Sequence, residues 1–194
     1  ISTNLETATH ISIDCKGETD GRVAVVGRQL LEYVAQLNEG VMTIEKLGEE
    51  IVIVSGSYSA RFATAEPGEF PVIPKIEKGT IIKVKASGFV SAVNRVVFAA
   101  SQDETRPALS GVFISLSGGK MFLVATDGYR LGYDELEVSQ KESTIEAILP
   151  AKSLIEVVKI ISETGLLSLG DKKGQDDNIE LVFGENLNQV NFKM

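Results

Sequence analysis

The chain has 194 residues, of which 43% are apolar and 24% charged, an ordinary globular composition that suits one large domain or two small ones. Its 19 basic and 27 acidic residues leave a net charge of −8, which argues against a tight electrostatic grip on nucleic acid and leaves room for contact through a local patch. The single cysteine, Cys15, and single histidine, His10, exclude an intrachain disulfide and any zinc site not built mainly from carboxylates, and point to a reducing, cytoplasmic setting. No apolar run reaches the roughly 18–20 residues of a membrane span. In chain order, β-branched and apolar runs predict strands at Val23–Val26, Ile51–Val54, Ile81–Val84, Val112–Leu116 and Ile179–Phe183. Turn signals fall at Gly48-Glu49-Glu50, Ser117-Gly118-Gly119 and Asp127-Gly128.

Three amphipathic helices are predicted. The first, about Gly27–Asn38, aligns Leu30, Leu31, Val34 and Leu37. The second, about Ser87–Ala99, aligns Phe89, Val90, Val93, Val96 and Val97, and the third, about Ala151–Glu163, aligns Leu154, Ile155, Val158 and Ile161. One apolar stripe per helix implies a helix lying on a sheet, and tight turns imply antiparallel strands, hence an α+β fold. The proline-bearing stretch Ala65–Gly79 (Pro67, Pro71, Pro74) reads as a connector. It divides the chain into residues 1–79, with net charge −5, and 80–194, with net charge −3.

The chain repeats itself. Leu30–Leu37 lies 124 residues before Leu154–Ile161, and the same offset joins Ala24-Val25-Val26 to Ile148-Leu149-Pro150. Ile51–Gly56 matches Ile179–Gly184 after a four-residue insertion, and Thr3-Asn4 matches Thr126-Asp127. A fainter copy lies between, from Ile81 onward. Each copy reads strand, helix, strands. The start at Ile1 and the stop in strand-like Asn191–Met194 read as an excerpt from a longer protein.

Within this repeat, Leu123-Val124-Ala125-Thr126-Asp127-Gly128-Tyr129-Arg130-Leu131 and the preceding Asp103-Glu104-Thr105-Arg106-Pro107-Ala108-Leu109-Ser110-Gly111 resemble segments of the bacterial DNA polymerase III beta subunit, the sliding-clamp family. Phe70-Pro71 followed by Pro74 resembles the end of that family's first domain. Tyrosine stands at 129 where the family has histidine. The resemblance implies DNA-clamp domains of repeated β-α-β-β units. By that alignment, 1–79 is the latter part of the N-terminal domain and 80–194 most of the middle domain, with the third domain absent. It further implies a non-enzymatic, cofactor-free processivity factor that becomes a homodimeric ring when full length. Such a ring encloses duplex DNA without sequence preference and tethers the polymerase III alpha subunit, the clamp loader and other proteins bearing clamp-binding peptides.

The same resemblance implies two surfaces. The polar sides of the helices would face DNA through Arg28, Gln29, Asn94, Arg95, Lys152 and Lys159, with Gln102 at a position where the family contacts DNA. The helices carry net +1 of the chain's −8. A pocket for partner peptides would be walled by Leu109, Thr126, Gly128, Tyr129, Arg130 and Leu131. Other motifs carry less. Ser117-Gly118-Gly119-Lys120 lacks the spacing of a phosphate-binding loop and reads as a hairpin turn. Asp171–Asp177 lacks the ligand order of a calcium loop and reads as an insertion. Cys15 and His10 are expected on one strand. The rival reading is a small α+β enzyme using carboxylates such as Asp127 and Asp103, or a generic interaction domain.

Overall fold

The computed structural model describes residues 1–38, 40–140, 144–164 and 178–194. The expected insertion at Asp171–Asp177 lies outside the described residues. The chain forms two compact units, Ile1–Pro74 and Lys75–Met194.

The first unit opens with a short hairpin of β1 (Ser2–Thr3) and β2 (Ala8–Thr9). Next come β3 (Ala24–Val25), helix α1 (Gly27–Val34) and a meander of β4 (Met42–Leu47), β5 (Glu50–Ser55) and β6 (Tyr58–Ala65). These strands make an antiparallel sheet ordered β3-β6-β5-β4. Its fully buried apolar side chains are few, Ile51 and Ile53. Helix α1 is shorter than the periodicity predicts and buries no residue. Leu31, placed on the apolar stripe from sequence, is 69% exposed. Tyr33 turns inward instead, its ring edge-on to Phe62 of β6 at 5.6 Å. His10 and Cys15 share no strand, because β2 ends at Thr9 and both residues lie in exposed irregular chain.

The second unit holds most of the core. It runs β7 (Gly79–Lys85), α2 (Ala86–Val96), β8 (Gly111–Ser117), β9 (Lys120–Thr126), β10 (Leu131–Glu137), β11 (Ile145–Pro150), α3 (Ala151–Glu163), β12 (Asn178–Gly184) and β13 (Val190–Lys193). Two antiparallel sheets result, ordered β10-β9-β8-β11 and β13-β12-β7. The arrangement is reciprocal. The strand entering α2, β7, pairs with β12 beyond α3 (Lys85 opposite Asn178). The strand entering α3, β11, pairs with β8 beyond α2 (Pro150 opposite Gly111). Each half of the repeat therefore completes the other's sheet. In the first unit the strand entering α1 turns back to its own meander, pairing Ala24 with Ala65. The matched segments Ile51–Gly56 and Ile179–Gly184 fall on β5 and β12, each in an antiparallel sheet.

Helices α2 and α3 start where their strands end, with extended Lys85 and Pro150 as caps and no side-chain cap. The Ala151 N–H, an otherwise orphaned donor at a helix start, donates to the Ser110 carbonyl at 3.1 Å. Phe89, Val90, Val93 and Val96 of α2 and Leu154, Val158 and Ile161 of α3 are buried together with Ile82, Ile114, Leu123, Ile179 and Leu181. Each such side chain stabilises the fold by about 1.5–3 kcal/mol. Ile155, expected on the α3 stripe, is 52% exposed, and partly buried Val157 packs on the core instead. The last turn of the expected second helix tightens to a 3₁₀ turn at Val97–Ala99.

Helix α2 lies across β10 and touches α3. The approach to β10 is close because residue 132 is glycine: a Cβ there would stand 2.8 Å from the Val96 carbonyl oxygen and 3.0 Å from Val96 Cα. Both are backbone atoms that cannot yield without moving the helix. Gly132→Val is therefore expected to destabilise the second unit by about 1–3 kcal/mol, read as a fall in urea midpoint with little change in slope. An unchanged midpoint would contradict the packing described.

Candidate functional site

The β9–β10 hairpin is shaped by its own polar side chains. The Thr126 hydroxyl donates to the Arg130 carbonyl at 2.8 Å and accepts from the Gly128 N–H at 3.1 Å. One Asp127 oxygen accepts the N–H groups of Tyr129 and Arg130, each at 3.0 Å, and the other accepts Arg130 Nε at 3.0 Å. Gly128 has φ +91°, a conformation that costs glycine little. The backbone N–H of Tyr129, then that of Arg130, hold the Asp127 carboxyl below its ordinary value of 3.8, with the Arg130 guanidinium adding to the effect. The turn binds the charged form. Its contribution is thus complete above about pH 4 and fades as pH falls through the lowered folded value.

The first unit carries a copy of this turn. Thr3 Oγ1 donates to the Thr7 carbonyl at 2.8 Å and accepts from Leu5 N–H at 3.0 Å. Asn4 Oδ1 accepts from Glu6 and Thr7 N–H. Pairing of Thr3 with Ala8 mirrors that of Thr126 with Leu131. Leu5, with φ +77°, takes the left-handed position that Gly128 holds. The Thr3-Asn4 likeness to Thr126-Asp127 is thus structural as well as sequential.

With its backbone satisfied, the hairpin tip projects Tyr129, 98% exposed, and Leu131, 65% exposed. Arg130 lies over the ring of Phe98, its Cζ 5.7 Å from the centroid. Leu109 reaches this end of the unit through its carbonyl, which accepts the Ser101 N–H at 2.8 Å. Ser101 follows the 3₁₀ turn Val97–Ala99, and that turn packs on both β9 and β10. The structure therefore gathers Thr126, Gly128, Tyr129, Arg130 and Leu131 on one hairpin, with the Leu109 loop tied beside the turn that supports it.

The helix residues predicted to face DNA are exposed, and each of their cations has a carboxylate partner. Arg28 pairs with Glu32 at 2.9 Å, Arg95 with Asp134 at 2.6 Å and Lys159 with Glu163 at 3.9 Å. Lys152 pairs with Glu104, whose carboxyl is lowered chiefly by that hydrogen bond. Gln29, Asn94 and Gln102 are exposed. These surface pairs are individually weak, so a phosphate can compete for the cations.

Three contributors were missed from sequence. Asp134 occupies an inward register of β10, where an apolar residue is the rule, and an inward carboxylate in a strand signals a cationic partner. Phe98 lies off the α2 stripe yet is aromatic. Glu104 had no local signal. The carboxylates of the enzyme reading have structural employment: Asp127 orders the hairpin, and Asp103 accepts the hydroxyl and N–H of Thr105, which lower its pKa. Neither is raised towards neutrality, as an acid catalyst would need. Ser117-Gly118-Gly119-Lys120 is a two-residue hairpin turn with both glycines at positive φ. Among the described residues no three His, Cys, Asp or Glu side chains stand as a metal cluster, and no helix is long and apolar enough to cross a membrane.

The model of the DNA polymerase III beta subunit, central domain, matches residues 83–193. The beta sliding clamp of Micrococcus luteus is 29% identical over 195 residues, covering 98% of this chain and 58% of its own length. That of Streptomyces coelicolor is 31% identical over 163 residues, covering 83% of this chain and 43% of its own. The crystal structure of the DNA polymerase III beta subunit of Thermotoga maritima matches with a TM-score of 0.79 at 27% identity, covering 93% of this chain and 46% of that one. The chain spans about half the length of the relatives it matches. The central-domain match takes in more than half of the chain and the fold is that of the clamps, so this chain belongs to the DNA polymerase III beta subunit family.

Proposed function

We propose that the full-length protein is a DNA polymerase processivity factor. It is a ring that slides on duplex DNA and holds the replicative polymerase and other partners, without catalysis or cofactor of its own. In this reading residues 1–79 belong to the N-terminal clamp domain and 80–194 to the middle one. The observation that carries the reading is the Thr126–Leu131 hairpin. Its backbone is locked by Thr126 and Asp127, while Tyr129 and Leu131 stand in solvent and Arg130 between them lies over Phe98, itself 56% exposed. A rigid tip with unsatisfied apolar surface suits capture of a short peptide, because the receptor loses little entropy on binding. Thr126, Gly128, Tyr129, Arg130 and Leu131 would form the wall on this chain, with Leu109 beside them.

The exposed faces of the helices would line the hole. Paired cations suit sliding, since a ring that released many counterions would bind too tightly to move. Non-specific phosphate contact also gives no sequence preference.

Two outcomes are expected. Leu131→Asp in the full-length clamp should abolish binding of a fluorescent polymerase-derived peptide. A carboxylate buried beneath the peptide costs several kcal/mol, against a micromolar affinity of about −8 kcal/mol. Leu131 is largely exposed in the free protein, so the variant should keep its circular dichroism; undiminished peptide affinity would refute the site. Replacing Arg95 and Lys152 by Gln should weaken DNA retention modestly, equally on all sequences, and flatten its salt dependence. Neutral replacements are the informative ones, because a new carboxylate at 95 would face Asp134. Retention by the variant equal to that of the unsubstituted protein at both low and moderate salt would count against α2 and α3 lining the hole.

A further inference from the structure

We propose that Phe98 is a positioning residue of the partner-peptide site, holding the Arg130 guanidinium so that its Nη edge faces an acceptor group on the bound peptide. This rests on the reading of the Thr126–Leu131 hairpin as that site.

Phe98 sits in the 3₁₀ turn that ends α2. Its neighbours face inward: Ala99 is fully buried, and Val97 is partly buried against the core. Phe98 points out and remains 56% exposed, so it contributes little to the core. Its defined contact is with Arg130, whose Cζ lies 5.7 Å from the ring centroid, within the range of a cation–π interaction. Asp127 fixes the other side through Nε at 3.0 Å. The guanidinium is thus held at its Nε edge by a carboxylate and on one face by an aromatic ring. Among the described residues its Nη nitrogens donate no hydrogen bond, and its side chain is 54% exposed.

The ring is also held at a fixed distance from the hairpin. Gly132 brings β10 against Val96 and Ala99, the residues on either side of the Val97-Phe98 step. Arg130, two residues before Gly132, is therefore carried to the Phe98 ring by the same close approach that seats the helix. The forked donors of arginine suit a peptide carbonyl pair or a carboxylate. The ligand chemistry implied is an acceptor oxygen on the same peptide whose apolar side chain covers Leu131.

The test is titration of the full-length clamp with a fluorescent clamp-binding peptide, comparing Phe98→Ala, Phe98→Leu, Phe98→Tyr, Arg130→Ala and the Phe98→Ala/Arg130→Ala double variant. An exposed cation–π contact corresponds to about a two- to fivefold change in affinity. Phe98→Ala and Phe98→Leu should both weaken binding by that factor, Phe98→Tyr should restore it, and the double variant should bind no more weakly than Arg130→Ala alone. Full affinity in Phe98→Leu, or losses that multiply in the double variant, would overturn the proposal by showing Phe98 to be a simple apolar wall or a bystander. Leu131→Asp serves as the control that separates the two readings. If it abolishes binding while the Phe98 variants bind normally, the positioning role alone fails. If it leaves binding intact, the site itself fails.

Discussion

The second unit depends on an exchange of strands. β7 leads into α2 but pairs with β12, and β11 leads into α3 but pairs with β8. Neither half of the repeat has a complete sheet without the other, and the two helices meet over the joint core. This constraint places the candidate surfaces. The exchange fixes α2 against the four-stranded sheet, Gly132 lets β10 close under it, and the end of α2 then stands beside the β9–β10 hairpin tip. The polar backs of the helices and the apolar tip of the hairpin are two products of one packing arrangement.

The hairpin tip shows how a carboxylate can order a loop without doing chemistry. Asp127 spends its lone pairs on two backbone N–H groups and the Arg130 guanidinium. The peptide groups of the tip are therefore satisfied internally, and the exposed side chains are what it offers to solvent. Asn4 does the same in the first unit with a neutral side chain. The turn thus recurs in both units, and in the second it carries the exposed Tyr129 and Leu131.

Much of this was legible in the sequence because it is local. The limits of α3, the glycine turn at Ser117–Lys120 and the Thr-Asp/Thr-Asn correspondence follow from periodicity, positive-φ glycines and short polar side chains. What escaped is non-local. The pairing of β7 with β12 spans almost the whole second unit, and no pattern within either strand names its partner. The apolar stripes overstated burial at Leu31 and Ile155, since an i, i+3, i+4 stripe is wider than the strip of helix that one sheet covers. Of the carboxylates that pair with the exposed helix cations, Glu32 and Glu163 lie one turn away on the same helices, whereas Asp134 and Glu104 come from distant segments and carry no local signal. Phe98 escaped because it lies off the apolar stripe of the predicted helix, and only the fold brings it to Arg130.

On the proposed function, the full-length protein is a topological tether that holds DNA by enclosure rather than by affinity. A net charge of −8 and helix cations matched by carboxylates fit enclosure and fit poorly with electrostatic binding. The direct measurement loads the labelled full-length protein onto nicked circular duplex, isolates the complex by gel filtration and then cuts the circle once with a restriction enzyme. Protein is expected to stay with the intact circle and to run off the linear product within the time of the filtration. Equal retention on circle and line would contradict it, because a protein held by contacts has no reason to notice an end.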